Sequence, residues 1–428
     1  MSNAVVGFAG MTHLGLVSAA ATAAHGFAVI AYDADAELIE ALGTFRLPVV
    51  EPDLDEMLAD NGRRLTFTSN PQDLSACDVV YISVDVPTDN DARSDLGAVR
   101  GLVDAIASRL GRDSVLVILC QVPPGFTRAI SGVPQERLIY QVETLIFGRA
   151  VERAMHPERF IVGCSDPAKP LPPKYEGLLK AFDCPILTMR YESAELAKIS
   201  INVCLVASVS VANTLAEVCE AIGADWGEIV PALKLDKRIG PHAYLAPGLG
   251  ISGGNLERDL RTVLNIAARE KTDGGVVEAW LRNSSHRKAW CWRVLHGRLI
   301  VQNARARIAV LGLAYKENTH STKNSPSLAL LARLQEFENL EICVHDPVVA
   351  PDVVPFATGA ETPLVCADDA DALVIATPWP DYRELEPAEL ARRMRGRLLI
   401  DPYRLLDGRA AAKAGFEYHA LGMAPLFP

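Results

Sequence analysis

Basic runs and metal-type cysteine spacings are both missing from this sequence of 428 residues. The formal net charge is −11 at pH 7, and an acidic chain without a lysine or arginine run is poorly suited to nucleic acid or to an anionic membrane surface. We therefore expect neither as a partner. The nine cysteines form an odd count, and several lie within apolar runs such as residues 202–206. This pattern predicts buried free thiols in a reducing compartment, and no bound metal.

Long apolar segments are missing too. The first strand-like segment begins at Ala4, which leaves no room for a signal peptide. The most apolar helical stretch, residues 203–215, is too short to span a bilayer and contains polar residues. With 49% hydrophobic and 22% charged residues, the composition is that of a globular protein. We expect a cytoplasmic protein in which this stretch is buried, either internally or at a subunit interface.

Apolar strand-like segments alternate with helical patterns at both ends of the chain. They cover residues 5–9, 28–32, 79–84 and 115–120 in the first block, and 307–313, 341–345, 372–377 and 398–401 in the last. Such alternation indicates parallel sheets. The middle is helical in pattern and opens with a long candidate helix at 192–222, followed by Gly223. We predict an α/β fold with two Rossmann-like doubly wound domains, 1–190 and 304–428, joined by a central helical domain, 191–303.

A dinucleotide-binding turn is expected between the first strand and the first helix. Gly10 and Gly15 bracket a turn of the G-x-G-x-x-G type, and Asp33 ends the second strand. An acidic residue about 20 positions after such a turn can hold the ribose hydroxyls of NAD, and it disfavours the 2′-phosphate of NADP. Thr12 stands where a glycine would let the backbone approach the pyrophosphate, so its side chain should push the phosphates away or require a shifted loop. A Rossmann-like domain that binds no nucleotide is the alternative.

A second glycine-rich turn, residues 248–259, leads into a predicted helix, and glycine lets the backbone approach a ligand closely. Lys198 and Asn202 are four residues apart on the long helix, so they share a face. Asn255 and Asp259 share a face in the same way. A lysine and an amide that converge in a cleft can polarise an alkoxide or a carbonyl oxygen during hydride transfer. A solvated lysine beside a helix-capping asparagine is the alternative for the first pair.

The turn at 248–259 resembles the active-site loop of the UDP-glucose/GDP-mannose dehydrogenase family, whose pattern is roughly G-x-G-x-G-G-S-C-F-P-K-D. On that pattern Asn255 stands where the family has its nucleophilic cysteine. Other stretches are similar to further motifs of the same family and follow in the same order: residues 49–54, 86–88, 120–125, 141–148, 194–202, 236–245, 311–316 and 323–326. The resemblance covers nearly the whole chain.

The resemblance implies a set of site residues and a homodimer. The residues it implies for catalysis are Lys198, Asn202, Asp259, Glu143 and Asn255. The residues it implies for NAD binding are Gly10, Thr12, Gly15, Asp33, Pro87, Thr88, Gln121 and Lys323, the last in place of an arginine. The residues it implies for binding a nucleotide sugar are Glu143, Lys198, Arg238, Tyr244, Gly253 and Lys316, with Lys316 on the diphosphate.

Three departures from the family pattern bear on the reaction. The family oxidises a primary alcohol of the sugar to a carboxylate with two NAD, through a thioester on the cysteine. The amide of Asn255 is not a nucleophile, Phe147 replaces a glutamate, and Gln121 replaces a threonine. Because the groups suited to a single hydride transfer remain, we predict an NAD-dependent oxidoreductase that acts on a nucleotide sugar in one two-electron step. Cys120 is disfavoured as a relocated nucleophile, since a cysteine at the end of a strand more often serves packing.

Three other functions stay open at this point. The first is a redox-neutral epimerase that retains its NAD. The second is a UDP-glucose 6-dehydrogenase that forms the uronate from a hydrated aldehyde, without a cysteine. The third is a non-catalytic protein that binds a sugar nucleotide or the cofactor, which the substitutions at Thr12, Lys323 and Asn255 make credible.

Overall fold

The computed structural model describes residues 4–87, 89 and 94–428. The chain divides into two compact units, Met1–Ile201 and Asn202–Pro428. The first unit is built on one sheet, and the second combines helices with another sheet. The domain boundaries predicted from the sequence, 1–190, 191–303 and 304–428, stay a prediction.

The described part of the first unit contains an eight-stranded sheet. Its strands are β1 (Val5–Ala9), β2 (Ala28–Tyr32), β3 (Leu65–Thr68), β4 (Val79–Ile82), β5 (Val115–Ile118), β6 (Leu138–Gln141), β7 (Phe160–Cys164) and β8 (Ile186–Arg190). Their order is β3-β2-β1-β4-β5-β6-β7-β8. All neighbouring strands are parallel except β6 and β7, which are antiparallel. Strands β4 and β5 are apolar and buried throughout, as is typical of strands covered on both faces.

Helices alternate with these strands: α1 (His13–Ala24), α2 (Ala36–Gly43), α3 (Leu54–Asn61), α4 (Gly97–Ala107), α5 (Ala150–Met155) and α6 (Pro173–Lys180). Helix α2 begins immediately after Asp35, whose side chain accepts hydrogen bonds from two backbone N–H groups of its first turn. This cap fixes the chain just after Asp33, at the carboxyl end of β2.

One helix, α7 (Tyr191–Ile222), begins in the first unit and ends in the second. It is followed by Gly223 with φ of +80°, a conformation that suits glycine after a helix, and the predicted long helix is confirmed. The remaining helices are α8 (Trp226–Leu235), α9 (Asn255–Glu270), α10 (Gly275–Lys288), α11 (Trp290–Leu295), α12 (Pro326–Leu334), α13 (Pro363–Ala367), α14 (Pro387–Arg393) and α15 (Gly408–Lys413).

A second sheet lies in the last block of the chain. Its strands are β9 (Arg307–Leu311), β10 (Glu341–His345), β11 (Thr358–Gly359), β12 (Ala372–Ile375), β13 (Leu398–Ile400) and β14 (Glu417–His419). Their order is β11-β10-β9-β12-β13-β14, and all described pairs are parallel. This is the 3-2-1-4-5-6 order of doubly wound folds, and the first six strands of the other sheet share it. The predicted fold class is confirmed.

Two expectations about burial on α7 were wrong. Cys204, expected to be buried, is exposed, whereas Cys184 is half-buried and the other seven free cysteines are buried. Val211 and Leu215 are 53% and 42% exposed, so the stretch 203–215 is only partly covered. The physical reason is that α7 is apolar on more than one face, and local hydropathy does not tell which face the rest of the chain covers.

The length of α7 corrects a third expectation. The helix has 32 residues, and its most apolar window of 18 residues has a mean hydropathy of 1.7. By length and composition it is long and apolar enough to cross a membrane, so the argument that residues 203–215 are too short was wrong. The core helix of a soluble protein meets the same criterion, and 39% of this window is buried inside the protein.

Candidate functional site

The turn between β1 and α1 requires glycine at both ends. Gly10 has φ of +98°, and a Cβ on it would lie 2.2 Å from Cγ1 of Val84. A Cβ on Gly15 would lie 1.8 Å from the carbonyl oxygen of Gly10. The side chain of Thr12, the residue before α1, makes no hydrogen bond to the first turn of the helix. A helix N-terminus after such a turn suits an anionic group such as the diphosphate of a dinucleotide.

The hydroxyl of Thr12 connects this turn to the segment after β4. It donates to the carbonyl oxygen of Ser83 at 3.4 Å and accepts from the backbone N–H of Asp85 at 2.9 Å. Thr12 therefore has a structural role in the turn that the sequence did not reveal. Its expected effect on the phosphates stays a prediction.

Two carboxylates lie at the turn. Asp33 accepts hydrogen bonds from the backbone N–H groups of Met11 at 2.7 Å and Asp35 at 3.0 Å, which fixes its carboxylate beside the turn. Its role toward the ribose hydroxyls of NAD stays a prediction. The Oδ2 atom of Asp85 lies 3.5 Å from the backbone nitrogen of Leu14 in the first turn of α1. The glycines of the turn and Asp33 fit a dinucleotide. Asp85, which the sequence analysis missed, opposes a diphosphate there.

A buried carboxylate connects the turn to the loop after β6. Oε2 of Glu51 lies 2.9 Å from Nε2 of His13. The two oxygens of Glu51 also accept from the backbone N–H groups of Gly148 at 3.1 Å and Ala150 at 2.7 Å. The ring of Phe147 stacks on His13. The residue that replaces a glutamate of the family pattern therefore packs directly against the dinucleotide turn.

Two of the predicted catalytic residues meet in the first unit. Nζ of Lys198 lies 3.4 Å from Oε2 of Glu143, and the side chains are only 12% and 18% exposed. The other carboxylate oxygen of Glu143 accepts from the backbone N–H of Leu145. This pairing holds an ammonium group in a fixed position, from which it can stabilise negative charge on an oxygen.

Glu195 fixes the segment that carries Gln121. This buried carboxylate on α7 accepts from the backbone N–H groups of Gly125 at 2.6 Å and Thr127 at 2.8 Å. Burial raises the pKa of the Glu195 carboxyl. Gln121 is half-buried in the same segment. Glu195 joins this segment to α7, the helix that carries Lys198.

Cys120 does not have the environment of a nucleophile. It is fully buried, and its Sγ lies 3.2 Å from the carbonyl oxygen of Ile82. Burial raises the pKa of the thiol to about 12. A thiol that stays protonated near neutral pH is a poor nucleophile, which supports the prediction that Cys120 has no catalytic role.

Two further predicted catalytic residues meet in the second unit. The amide of Asn202 donates to Oδ2 of Asp259 at 2.5 Å. Nε of Arg258 lies 3.2 Å from Oδ1 of Asp259, and both of these residues are almost completely buried. The guanidinium compensates the buried carboxylate. Arg258 gave no signal as a site residue in the sequence, although it directly precedes Asp259.

The second glycine-rich turn leads into α9 as predicted, and Asn255 is the first residue of that helix. Gly250 has φ of +81°, and a Cβ on it would lie 2.4 Å from the carbonyl oxygen of Ser284. The hydroxyl of Ser284 accepts from the backbone N–H of Ile251 at 2.7 Å. The turn is therefore packed closely against α10. We call residues 248–257 the Asn255 loop.

Three of the predicted ligand-binding residues are neighbours in the second unit. The backbone N–H of Gly253 donates to the carbonyl oxygen of Lys323 at 3.0 Å. A Cβ on Gly253 would lie 3.1 Å from the ring of Tyr315, and Nζ of Lys316 lies 5.8 Å from the centroid of that ring. Lys323 and the ring of Tyr315, the residue before Lys316, therefore lie against the Asn255 loop at Gly253. Their roles toward a ligand stay predictions.

The other predicted ligand-binding residues lie in loops. Arg238 is exposed and pairs with an aspartate two residues before it. Tyr244 is 52% exposed and lines a cavity of about 480 Å³. Pro87 is exposed after β4, and Thr88 lies outside the described residues. In the described ranges, no group of three or more His, Cys, Asp and Glu residues could hold a metal ion.

Three domains of one protein family match this chain in order. The NAD binding domain of the UDP-glucose/GDP-mannose dehydrogenase family matches residues 4–178, its central domain matches 192–284, and its UDP binding domain matches 309–408. These matches cover most of the chain.

Individual relatives match over nearly their full length. UDP-glucose 6-dehydrogenase TuaD of Bacillus subtilis (strain 168) is 28% identical over 434 residues, which cover 96% of this chain and 92% of that protein. A UDP-glucose 6-dehydrogenase of Pseudomonas aeruginosa is 29% identical and covers 96% of each chain. The structure of a UDP-glucose dehydrogenase from Pyrobaculum islandicum is 27% identical, with a TM-score of 0.86 over 99% of this chain and 98% of that one.

Proposed function

This chain belongs to the UDP-glucose/GDP-mannose dehydrogenase family, and we propose that it oxidises a nucleotide sugar by one hydride transfer, with no thioester intermediate. Its cofactor is NAD, and it is an oxidoreductase of the class that acts on a CH–OH group. Its substrate class is a nucleotide sugar. The proposal concerns the number of oxidation steps and the residues that perform them.

The observation that carries the proposal is the residue at the start of α9. Asn255 follows the glycine-rich turn directly, and an amide cannot add to an aldehyde to form an intermediate that a second hydride transfer would convert into a thioester. Cys120, the cysteine considered as a relocated nucleophile, is buried, and burial raises the pKa of its thiol. Phe147 supplies a ring where the family pattern has a carboxylate, and that ring is engaged with His13.

The remaining groups suit removal of a hydride from an alcohol. Oxidation takes a hydride from the carbon and a proton from its hydroxyl, and leaves a carbonyl group. NAD, when bound, accepts the hydride. In our proposal the ammonium of Lys198 stabilises the negative charge that develops on the oxygen, and the carboxylate of Glu143, 3.4 Å from that ammonium, takes the proton.

Asn202 has an oriented side-chain amide within the second unit. The side-chain nitrogen of Asn202 is bonded to Asp259, which leaves the amide oxygen available to accept from a hydroxyl of the sugar. Asp259 is itself paired with Arg258. We assign Asp259 to holding Asn202 in place, since its carboxylate already accepts hydrogen bonds on both oxygens.

We further propose that the substrate is UDP-glucose or a close analogue. The basis is that relatives matching over their full length are UDP-glucose 6-dehydrogenases. Lys316 is assigned to the diphosphate, and Arg238 and Tyr244 to the rest of the nucleotide sugar. Lys323 is assigned to the phosphates of NAD, where a lysine keeps the charge of the family's arginine but not its forked geometry.

The exposed face of α7 supports a homodimer. Four exposed apolar residues recur at intervals of four, three and four: Val211, Leu215, Val218 and Ile222. This is the spacing of a helix that packs along another helix, and an apolar strip of this kind on a soluble protein marks an interaction site. We propose that a second copy of the chain covers it.

The experiment is a product analysis. Purified protein is incubated with NAD and UDP-glucose, and with a panel of other nucleotide sugars, and the products are identified by mass spectrometry and NMR. We expect a carbonyl product that has lost two hydrogen atoms. A uronic acid would contradict the single step, a stereoisomer of unchanged mass without net NADH would indicate an epimerase, and an absence of NAD binding in calorimetry would indicate a binding protein.

An Asn255→Cys variant provides the matched control. If the missing nucleophile is what stops the reaction, this variant should form a covalent sugar adduct that the wild-type protein does not form. Asn255→Ser, which is similar in size and is also a weak nucleophile, should behave like the wild type. Identical adducts in all three proteins would show that the nucleophile lies elsewhere.

A further inference from the structure

The side chain of Asn324 makes a set of hydrogen bonds to the Asn255 loop. Its amide nitrogen lies 3.2 Å from the carbonyl oxygen of Ile251 and 3.4 Å from that of Gly253. The same nitrogen lies 2.9 Å from Oε2 of Glu257. These acceptors lie on both sides of Ser252, so one side chain fixes the path of the loop up to the first turn of α9.

The amide is oriented by the charge around it. Nζ of Lys288, the last residue of α10, donates to Oδ1 of Asn324. An ammonium group only donates, whereas carbonyl and carboxylate oxygens only accept. The reversed orientation would place the amide N–H groups against Lys288 and the amide oxygen against three acceptors. Lys288 and Glu257 therefore determine which way Asn324 points.

The backbone of Asn324 is also specialised. Its φ is +53°, in the left-handed region, which asparagine tolerates better than most residues. The neighbouring residue Lys323 accepts from the backbone N–H of Gly253. Backbone and side-chain bonds therefore join the 323–324 turn to the Asn255 loop.

We propose that Asn324 is a positioning residue that holds the Asn255 loop in its reactive geometry, with Lys288 and Glu257 orienting its amide. The effect on catalysis rests on the proposed function, which gives roles to Asn255, Asp259 and Lys323. Within the second unit, Asn324 fixes these residues relative to each other. The effect on the loop itself does not depend on any substrate.

The test compares two asparagines with the same backbone conformation. Asn324→Gly keeps a residue suited to positive φ and removes the side chain. Asn318→Gly is the matched control, because Asn318 also has positive φ, at +58°, but is exposed, with no hydrogen bond to the loop within the described residues. Amide hydrogen exchange of residues 248–257 should become about tenfold faster in Asn324→Gly and stay unchanged in Asn318→Gly.

Two more variants keep the test decisive if Asn324→Gly is poorly folded. Lys288→Met removes the charge that orients the amide, and it should speed the same exchange by a smaller factor. Lys288→Arg keeps a charged donor and should restore protection. With a turning-over substrate, Asn324→Gly should lower kcat. Equal exchange in wild type, Asn324→Gly and Lys288→Met would overturn the proposal, whether or not the protein oxidises a sugar.

Discussion

The ring of Phe147 stacks on the imidazole of His13, with ring centroids 4.1 Å apart and planes inclined by 23°. This contact joins the loop after β6 to the first residue of α1. The carboxylate of Glu51 lies 2.9 Å from the imidazole of His13 and accepts a hydrogen bond from the backbone N–H of Gly148, the residue after Phe147. The dinucleotide turn and the loop that carries Glu143 therefore pack against each other. The ring of Phe147 in this contact stands at the position where the family pattern has a carboxylate.

The Phe147→Glu substitution should destabilise the protein rather than restore a family feature. It removes the stacking contact and adds a carboxylate that would compete with Glu51 for His13. We expect a loss of about 1 kcal/mol in the free energy of unfolding, measured by urea titration at pH 7. Phe147→Tyr keeps the ring and should unfold like the wild type. A Phe147→Glu variant as stable as the wild type would show that the stack contributes nothing.

The Asp85→Asn substitution should tighten NAD binding. Its carboxylate lies at the N-terminus of α1, where the diphosphate is expected, and removing a like charge there should lower the Kd by about two- to fivefold. Isothermal titration calorimetry at low ionic strength measures this directly. Asp85→Glu keeps the charge and should bind no more tightly than the wild type. If Asp85→Asn binds NAD more weakly, the diphosphate does not lie at this helix end.

The thiol of Cys120 should be unreactive. With a pKa raised to about 12, only about one thiol in ten thousand is ionised at pH 8, and burial hinders access further. Iodoacetamide labelling followed by mass spectrometry should leave Cys120 unmodified in the folded protein, and Cys120→Ala should retain hydride transfer. Loss of NADH formation in a well-folded Cys120→Ala variant would contradict this account and indicate that Cys120 acts in catalysis.

The Leu215→Glu substitution should convert the proposed dimer to a monomer. The residue lies at the centre of the exposed apolar strip on α7, and a buried unpaired carboxylate at an interface is strongly unfavourable. Size-exclusion chromatography with light scattering reports the mass. Val348→Glu, at a residue that is 53% exposed outside α7, is the control and should leave the mass unchanged. Wild-type protein that is monomeric at micromolar concentration would contradict the proposed dimer.

Much of the fold was predictable because the strands are short apolar segments between turn-forming residues. Strands β1, β2 and β10 have the predicted bounds, and α7 begins one residue earlier than predicted. The antiparallel pairing of β6 and β7 was not predicted. Strand direction depends on how the chain returns to the sheet, and no local pattern encodes it. Strand β8 was also missed: three of its five residues are apolar, but Thr188 and Arg190 interrupt the run.

The candidate site was predictable at the level of residue types, and less so at the level of contacts. The helical spacing of Lys198 and Asn202 was visible, but their partners Glu143 and Asp259 lie more than 50 residues away in the sequence. The stack of Phe147 on His13 arises only from tertiary packing. The sequence did not indicate that the side-chain amide of Asn324 has a fixed orientation, because that orientation depends on charged residues of two other segments.

The number of NADH molecules formed per molecule of nucleotide sugar consumed tests the central claim most directly. Absorbance at the NADH maximum and chromatographic quantification of the sugar, followed to completion with excess NAD, give this ratio. Because we propose that the amide of Asn255 cannot form a thioester, we predict a ratio of one. A ratio of two, with a uronic acid as the product, would contradict it.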